Sequence, residues 1–203
     1  AAVLSNNIDE IKAADKIIFP GVGEASSAMK MLQESGLDKV IPTLTQPVLG
    51  ICLGMQCAVI EYARNVLGWK DAHTAEIDDE SGHPVIDLME EQKTVTNKGG
   101  TMRLGSYKCK ILADSKLSNA YNQEVIHERH RHRFEFNNKY LADFEKAGMV
   151  ATGKNPETGL VEVVEVPDHP WFVGAQYHPE YKSTVANPHP LFVAFVKAVI
   201  ENK

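Results

Sequence analysis

The sequence predicts an α/β protein whose mostly parallel central sheet is covered by helices and extended by antiparallel strands. Short apolar runs alternate with helix-like segments through the first third of the chain, and strand-like runs cluster towards its end. No internal repeat or low-complexity linker divides the 203 residues. We therefore expect a single domain over residues 1–203.

Individual elements follow from the spacing of apolar residues and from turn-forming residues. Residues 1–15 are typical of the end of a strand followed by a short amphipathic helix, and a second helix is capped by Ser26 or Ser27 and stops near Gly36. Residues 71–100 form a long polar region broken by glycine and proline. The predicted strands are 16–19, 47–51, 101–112, 124–136, 150–152, 160–166 and 172–177, and the other helices are 53–67, 138–147 and 190–203.

Composition excludes several classes of protein. The chain is 43% hydrophobic and 24% charged, and its formal net charge of -6 gives no reason to expect a nucleic-acid partner. No apolar run approaches the roughly 20 residues that span a bilayer, and no signal-peptide pattern opens the sequence, so we expect no membrane partner. Three cysteines without a disulfide spacing fit a reducing compartment, and we expect the cytoplasm.

The most informative motif is Gly50-Ile51-Cys52-Leu53-Gly54-Met55-Gln56. A strand-like run ends at the cysteine and a helix-like run begins directly after it, with glycines two residues before and two after. A nucleophile on a sharp strand-to-helix turn needs such small neighbours, because a Cβ there would collide with the adjoining backbone. The helix N-terminus is expected to favour the thiolate form of Cys52.

A cysteine nucleophile needs a base, and the base needs a group that orients it. His178 and Glu180 lie two residues apart at the end of a predicted strand, so that Glu180 can fix the imidazole tautomer. The backbone N–H of Leu53 and the turn at Gly21 and Val22 are expected to form an oxyanion hole.

Other reactive residue types have simpler interpretations. Cys57 and Cys109 are expected to be structural. The run 129–133 is a poor metal site, since His130 and His132 lack a third ligand at zinc spacing, and we expect neither metal nor cofactor. Strand alternation places Arg129, Arg131 and Arg133 on one face and the two histidines on the other.

Three motifs together resemble the class I (triad) glutamine amidotransferases: Phe19-Pro-Gly-Val-Gly, Gly50-Ile-Cys-Leu-Gly-Met-Gln and Tyr177-His-Pro-Glu. The resemblance implies a flavodoxin-like three-layer α/β sandwich. It also implies an enzyme that hydrolyses the side-chain amide of L-glutamine through Cys52, His178 and Glu180. A synthase domain or subunit would then receive the ammonia.

The finer resemblance divides the chain. Residues 54–203 resemble the glutaminase domain of CTP synthases, for example at His83-Pro-Val-Ile-Asp-Leu-Met, Met102-Arg-Leu-Gly and Glu128-Arg-His-Arg-His-Arg-Phe-Glu-Phe-Asn. Residues 1–53 resemble instead the glutaminase subunit of imidazole glycerol phosphate synthase, because Pro20-Gly21-Val22-Gly23 replaces the Pro-Gly-Gly-Phe-Gly turn of CTP synthases. This division predicts a chimera, with the junction at the elbow.

The CTP synthase resemblance also implies three substrate-binding residues, Gln56, Glu76 and Arg133. A free amino acid offers an ammonium group to Glu76 and a carboxylate to Arg133, and both contacts exclude a glutamine within a peptide. The resemblance includes no nucleotide-binding half, so we expect this chain alone not to make CTP.

Two alternatives remain beside the CTP-synthase-like glutaminase. One is a glutaminase that feeds histidine biosynthesis, which the first quarter of the sequence favours. The other belongs to a different class, a catalytically silent structural module whose hybrid turn at Val22 leaves the oxyanion hole unformed. The oligomeric state is open, with a homo-oligomer as one option.

Overall fold

The computed structural model describes residues 2–21, 25–88 and 102–201. Within these ranges, ten strands form two sheets. They are β1 (Ile17–Phe19), β2 (Val48–Ile51), β3 (His73–Thr74), β4 (Pro84–Leu88), β5 (Arg103–Ile111), β6 (Val125–His132), β7 (Phe134–Phe136), β8 (Val150–Lys154), β9 (Val161–Glu165) and β10 (Phe172–Ala175). The large sheet has the order β1-β2-β10-β9-β8-β5-β6, and the small sheet has the order β3-β4-β7.

The large sheet combines parallel and antiparallel pairing. β2 pairs in parallel with both β1 and β10, whereas β10, β9, β8, β5 and β6 pair antiparallel in succession. The predicted α/β sheet with an antiparallel extension is confirmed. Within the residues that the structure describes, that extension supplies four of the seven strands.

Helices cover both faces of this sheet. The helices are α1 (Ile8–Ala13), α2 (Ala25–Ser35), α3 (Leu37–Val40), α4 (Leu53–Asn65), α5 (Lys116–Tyr121), α6 (Leu141–Lys146) and α7 (Pro190–Glu201), and 3-10 turns span Ile41–Thr43, Asn138–Tyr140 and Pro179–Lys182. Val48 of β2 packs in one core with α2, α3 and α4, and the adjacent Leu49 packs in a second core with α5 and α7. Successive strand residues point to opposite faces, so β2 is buried from both sides.

Several predicted elements differ from the structure. The predicted strand 124–136 is two strands in different sheets, and the polar region 71–100 contains β3 and β4. Ser26 and Ser27 lie inside α2 instead of capping it, and residues 2–7 form no strand. The predicted helix 138–147 starts with a 3-10 turn. None of the helices in the described ranges is long and apolar enough to cross a bilayer.

Candidate active site

Cys52 makes the sharp turn between β2 and α4. The strand ends at Ile51 and the helix begins at Leu53. Cys52 has φ 49° and ψ -110°, a backbone conformation that residues with a side chain rarely adopt. Its N–H donates to the Ala175 carbonyl at 2.7 Å, and its carbonyl accepts from the Gln56 N–H at 3.1 Å. These contacts hold the strained elbow that the motif predicts.

Two glycines let the turn after β1 pack directly on the elbow. A Cβ at Gly54 would lie 2.0 Å from the Phe19 carbonyl oxygen, and a Cβ at Gly21 would lie 2.3 Å from the Leu53 amide nitrogen. Backbone therefore contacts backbone at both positions. This close approach places Gly21 in the same cavity as Cys52 and Leu53. Val22, the other predicted oxyanion donor, lies outside the described residues.

Cys52 is buried, with 6% of its surface exposed. Burial raises its pKa to about 11, and the Glu180 charge adds to the rise, whereas the Leu53 amide and the Gln176 side chain lower the pKa. The first N–H of the helix thus favours the thiolate, as expected, but the loss of hydration outweighs it and the net pKa is raised. A base must remove the proton.

His178 supplies a suitable base. Its Nδ1 lies 2.6 Å from Glu180 Oε1, and since a carboxylate only accepts hydrogen bonds, Nδ1 carries the ring proton. The other nitrogen, Nε2, is buried and has no hydrogen-bond partner in the described part of the chain. The imidazole lines the same cavity as Cys52. In a neutral imidazole with the proton on Nδ1, Nε2 carries a lone pair, and a lone pair that shares a cavity with a thiol can act as a general base.

Two hydrogen bonds hold the segment that contains His178 against β6. The His178 N–H donates to the Arg129 carbonyl at 2.8 Å, and Lys182 Nζ donates to the His127 carbonyl at 2.6 Å. Tyr181, which sequence reasoning missed, stacks on the imidazole with ring centroids 5.0 Å apart. These contacts restrict the position of the imidazole.

A cavity of about 450 Å³ surrounds the thiol and the imidazole. The three predicted substrate-binding residues, Gln56, Glu76 and Arg133, all line it. Its other lining residues are Gly21, Ala25, Cys52, Leu53, Met102, Arg131, His132, Phe134, His178 and Tyr181. Glu180 does not line the cavity and contacts it only through its hydrogen bond with His178. The structure thus brings together every predicted site residue that it describes, in a volume typical of small-molecule sites.

The wall of this cavity includes a break between two strands. β6 ends at His132 in the large sheet, and β7 begins at Phe134 in the small sheet, where it pairs with β4. The burial pattern of β6 follows the predicted alternation as far as His132, with Arg129 and Arg131 exposed and the two histidines buried. Arg133 is half-buried and lies between the two strands, so it does not continue that face as predicted. The break allows four consecutive residues, 131–134, to line the cavity.

The side-chain amide of Gln56 is engaged within the protein. Its Nε2 donates to the Phe134 carbonyl at 2.8 Å and to Gln176 Oε1 at 3.1 Å. Both N–H groups are thereby used, which leaves the carbonyl oxygen Oε1 to accept from a substrate. Gln176 Nε2 in turn lies 3.8 Å from Cys52 Sγ. Sequence reasoning gave Gln176 no role, although its position two residues before His178 was the available signal.

A buried polar chain runs behind the cavity wall. His132 Nδ1 donates to the Phe134 carbonyl at 3.1 Å, and its Nε2 lies 2.8 Å from His130 Nδ1. His130 Nε2 lies 3.2 Å from Glu162 Oε2, but among the described residues neither atom has a hydrogen-bond partner. Arg103 Nη2 donates to Glu162 Oε1 at 2.6 Å. Burial lowers the pKa of His130 to about 2 and of His132 to about 3, and it raises the pKa of Glu162 to about 6. Both imidazoles are therefore neutral.

The other two cysteines lie in the cores, as expected. Cys57 is 1% exposed and Cys109 is 0% exposed, and burial raises the pKa of both thiols, that of Cys57 to about 12. Within the described ranges, no group of three His, Cys, Asp or Glu side chains could hold a metal ion.

Comparison with known proteins adds the family. The sequence pattern of the family described as "Glutamine amidotransferase class-I" matches residues 2–198. The chain belongs to the class I glutamine amidotransferases. Their flavodoxin-like α/β fold is the fold class predicted from the sequence, which is thereby confirmed.

This amidotransferase is similar to CTP synthases. It is 55% identical to the CTP synthase of Porphyromonas gingivalis, over 98% of this chain and 36% of that protein. It is 56% identical to the CTP synthase of Christiangramia forsetii, over 92% of this chain and 33% of that protein. The chain thus spans about a third of the length of these relatives. A solved Trypanosoma brucei CTPS glutaminase domain with bound acivicin matches with a TM-score of 0.85 and 33% identity, over 96% of this chain and 74% of that chain.

These matches bear on the predicted division of the amidotransferase. The P. gingivalis relative aligns with 98% of the chain, a span that includes most of the segment before the elbow. The expected chimera is therefore not confirmed, and the histidine-biosynthesis alternative is not favoured. The amidotransferase is CTP synthase-like.

Proposed function

We propose that this amidotransferase hydrolyses free L-glutamine to L-glutamate and ammonia, and that a synthase domain or subunit of the CTP synthase type receives the ammonia. One observation carries the proposal most directly. The strained Cys52 shares a cavity with His178, whose Nδ1 is fixed by Glu180 and whose Nε2 has no hydrogen-bond partner among the described residues. The similarity to CTP synthases indicates the class of ammonia acceptor.

The reaction starts with transfer of the thiol proton to His178 Nε2. Cys52 Sγ attacks the side-chain amide carbon of glutamine, and the carbonyl oxygen becomes an oxyanion that accepts hydrogen bonds from the Leu53 N–H and the turn at Gly21 and Val22. The imidazolium, stabilised by Glu180, returns its proton to the amide nitrogen. The C–N bond breaks and ammonia leaves.

The second half of the reaction releases glutamate. The γ-glutamyl group is now held on Cys52 as a thioester. His178 Nε2 takes a proton from water as the water oxygen attacks the thioester carbon. Collapse of this second oxyanion breaks the S–C bond and returns the proton to the sulfur. The site then holds the buried thiol again.

Substrate selection rests on charges at the cavity wall. Glu76 and Arg133 offer one negative and one positive group to the ammonium and carboxylate of a free amino acid. Gln56 adds the acceptor Oε1, since both N–H groups of its amide are used internally. A glutamine within a peptide lacks both charges and would make neither of these contacts. Three free cysteines support a reducing location, and we include the cytoplasm in the proposal.

The test is incubation with a diazo-ketone analogue of glutamine, followed by peptide mass spectrometry and by a glutamate-release assay. We expect one adduct per chain, located on Cys52, and no adduct or glutamate release in Cys52→Ala. If the wild-type protein is not labelled and releases no glutamate, the result favours the silent structural module. Stimulation of turnover by a CTP synthase synthetase domain, and not by a histidine-pathway cyclase, would identify the ammonia acceptor.

A further inference from the structure

A single backbone carbonyl sets the orientation of two buried side-chain amides. The Phe134 carbonyl can only accept hydrogen bonds, so the group that lies 2.8 Å from it must be the amino group of Gln56. The same nitrogen lies 3.1 Å from the Gln176 amide, which must therefore present its oxygen there. The amino group of Gln176 is left facing Cys52 Sγ at 3.8 Å.

Burial keeps this chain of donors in place. Gln176 is 0% exposed and does not line the cavity, so water offers its amide no alternative partner, and Gln56 is only 4% exposed. The Gln176 backbone N–H also donates to the Glu162 carbonyl at 2.8 Å, which fixes the main chain beneath the side chain. An N–H group held against a sulfur favours the thiolate over the thiol. In agreement, Gln176 lowers the pKa of the Cys52 thiol, against the larger effect of burial.

We propose that Gln176 is a positioning residue for the nucleophile: its side-chain N–H holds Cys52 Sγ in one orientation in the cavity and stabilises the sulfur once its proton has moved to His178. The inference rests on the proposed function in that Cys52 is the nucleophile. Gln56 acts through Gln176, because its N–H group holds the Gln176 oxygen and so keeps the Gln176 nitrogen towards the sulfur.

Other groups at the cavity also influence the sulfur, and the test must separate them from Gln176. Glu180 raises the pKa of the thiol, and the Leu53 N–H lowers it. Among the described residues, the charged or titratable side chains at or beside the cavity, apart from Cys52 itself, are Glu76, Arg131, His132, Arg133, His178, Glu180 and Tyr181. None of them is altered by a substitution at position 176, so a change in the pH profile of Cys52 reports on the amide.

The experiment measures the rate of alkylation of Cys52 by iodoacetamide from pH 6 to 10, with the modified peptide quantified by mass spectrometry. We compare the wild-type protein with Gln176→Leu, which has no donor, and Gln176→Glu, which places a carboxylate beside the sulfur. Gln46→Leu is the matched control. Gln46 Nε2 also donates to a backbone carbonyl, that of Ile11 at 2.9 Å, but Gln46 does not line the cavity.

We expect Gln176→Leu to lower the alkylation rate at neutral pH about tenfold, because one hydrogen bond to a charged group corresponds to about one pKa unit or more. Gln176→Glu should lower it further, and Gln46→Leu should leave the pH profile unchanged. Identical profiles for wild type and both Gln176 variants would overturn the inference. If the variants do not fold, the side-chain ¹⁵N signal of Gln176 is followed through the Cys52 titration in the wild-type protein. A shift absent from Cys52→Ala supports the inference, and no shift refutes it.

This test is independent of glutamine turnover. If the protein releases no glutamate while Gln176→Leu still shifts the alkylation profile, the proposed function fails and the positioning role stands. If glutamate release and Cys52 labelling are as proposed but the profile does not move, only the role of Gln176 is wrong.

Discussion

Gly54→Ala adds one methyl group where α4 contacts the end of β1. Gly54 is the second residue of α4, where alanine is favoured over glycine by up to about 1 kcal/mol, which on its own would stabilise the protein. The new Cβ, however, would lie 2.0 Å from the Phe19 carbonyl oxygen and 2.9 Å from the Phe19 carbonyl carbon. Both atoms are backbone, so a rotamer change cannot relieve the clash. The turn after β1 must move away from the elbow.

Overpacking of this kind costs about 3 kcal/mol or somewhat more, so the net loss of unfolding free energy is about 2 kcal/mol. That loss corresponds to a decrease in Tm of about 4–8 °C for a chain of this size. The movement also separates Gly21 from Leu53, and we expect labelling of Cys52 by the diazo-ketone analogue to slow by about tenfold or more.

Urea denaturation and labelling kinetics of the same preparations test this prediction. Gly50→Ala is the graded control, because its Cβ would meet the Gly54 carbonyl carbon and oxygen and the Met55 amide nitrogen at the looser distance of 3.1 Å. We expect it to be less damaging than Gly54→Ala in both assays. A Gly54→Ala protein as stable as wild type, or more stable, would show that helix propensity outweighs the clash and would refute the close packing of the elbow.

Three further predictions concern the base, the buried histidines and substrate recognition. Glu180→Gln should lower turnover about 10²-fold in steady-state kinetics. This is less than the 10⁴-fold loss known for a buried triad acid, because the Glu180 side chain is 42% exposed. A loss below threefold would contradict the role of Glu180. The pKa of His130 is lowered to about 2 and that of His132 to about 3, so the stability they contribute is complete above about pH 6.5 and is lost as pH falls below it. We therefore expect His130→Asn to bind about one proton fewer on unfolding than wild type, which is read from the slope of the unfolding free energy against pH between pH 5 and 7. An equal slope for the two proteins would refute the neutral pair. Arg133→Lys should raise KM for glutamine about tenfold with little change in kcat, because lysine keeps the charge but loses the bidentate contact with a carboxylate. An unchanged KM would show that Arg133 does not bind the substrate.

Local sequence patterns predicted the parts of the site that depend on neighbouring residues. The glycines around Cys52 and the spacing of His178 and Glu180 are visible in the sequence, and Cys52 and His178 line one cavity. The strand break at Arg133 is not visible, because it depends on pairing of Phe134 with Leu88, far away in the chain. Strand alternation therefore predicted one continuous strand.

The chemistry of the thiol could not be predicted for the same reason. The position of Cys52 at a helix N-terminus is local, but its burial comes from the packed tertiary structure, and burial is the larger effect on its pKa. The amide chain through Gln176 joins residues 120 positions apart, from Gln56 to Gln176. Only the folded structure shows that Gln56 has both of its N–H groups engaged.

The most direct test of the mechanism is acid quenching of the protein during turnover of glutamine, followed by mass spectrometry of the Cys52 peptide. We predict a γ-glutamyl group on Cys52 that decays when glutamine is exhausted and that is absent from Cys52→Ala. If the protein releases glutamate without any adduct on that peptide, and Cys52→Ala releases it equally fast, the proposed thioester mechanism is contradicted.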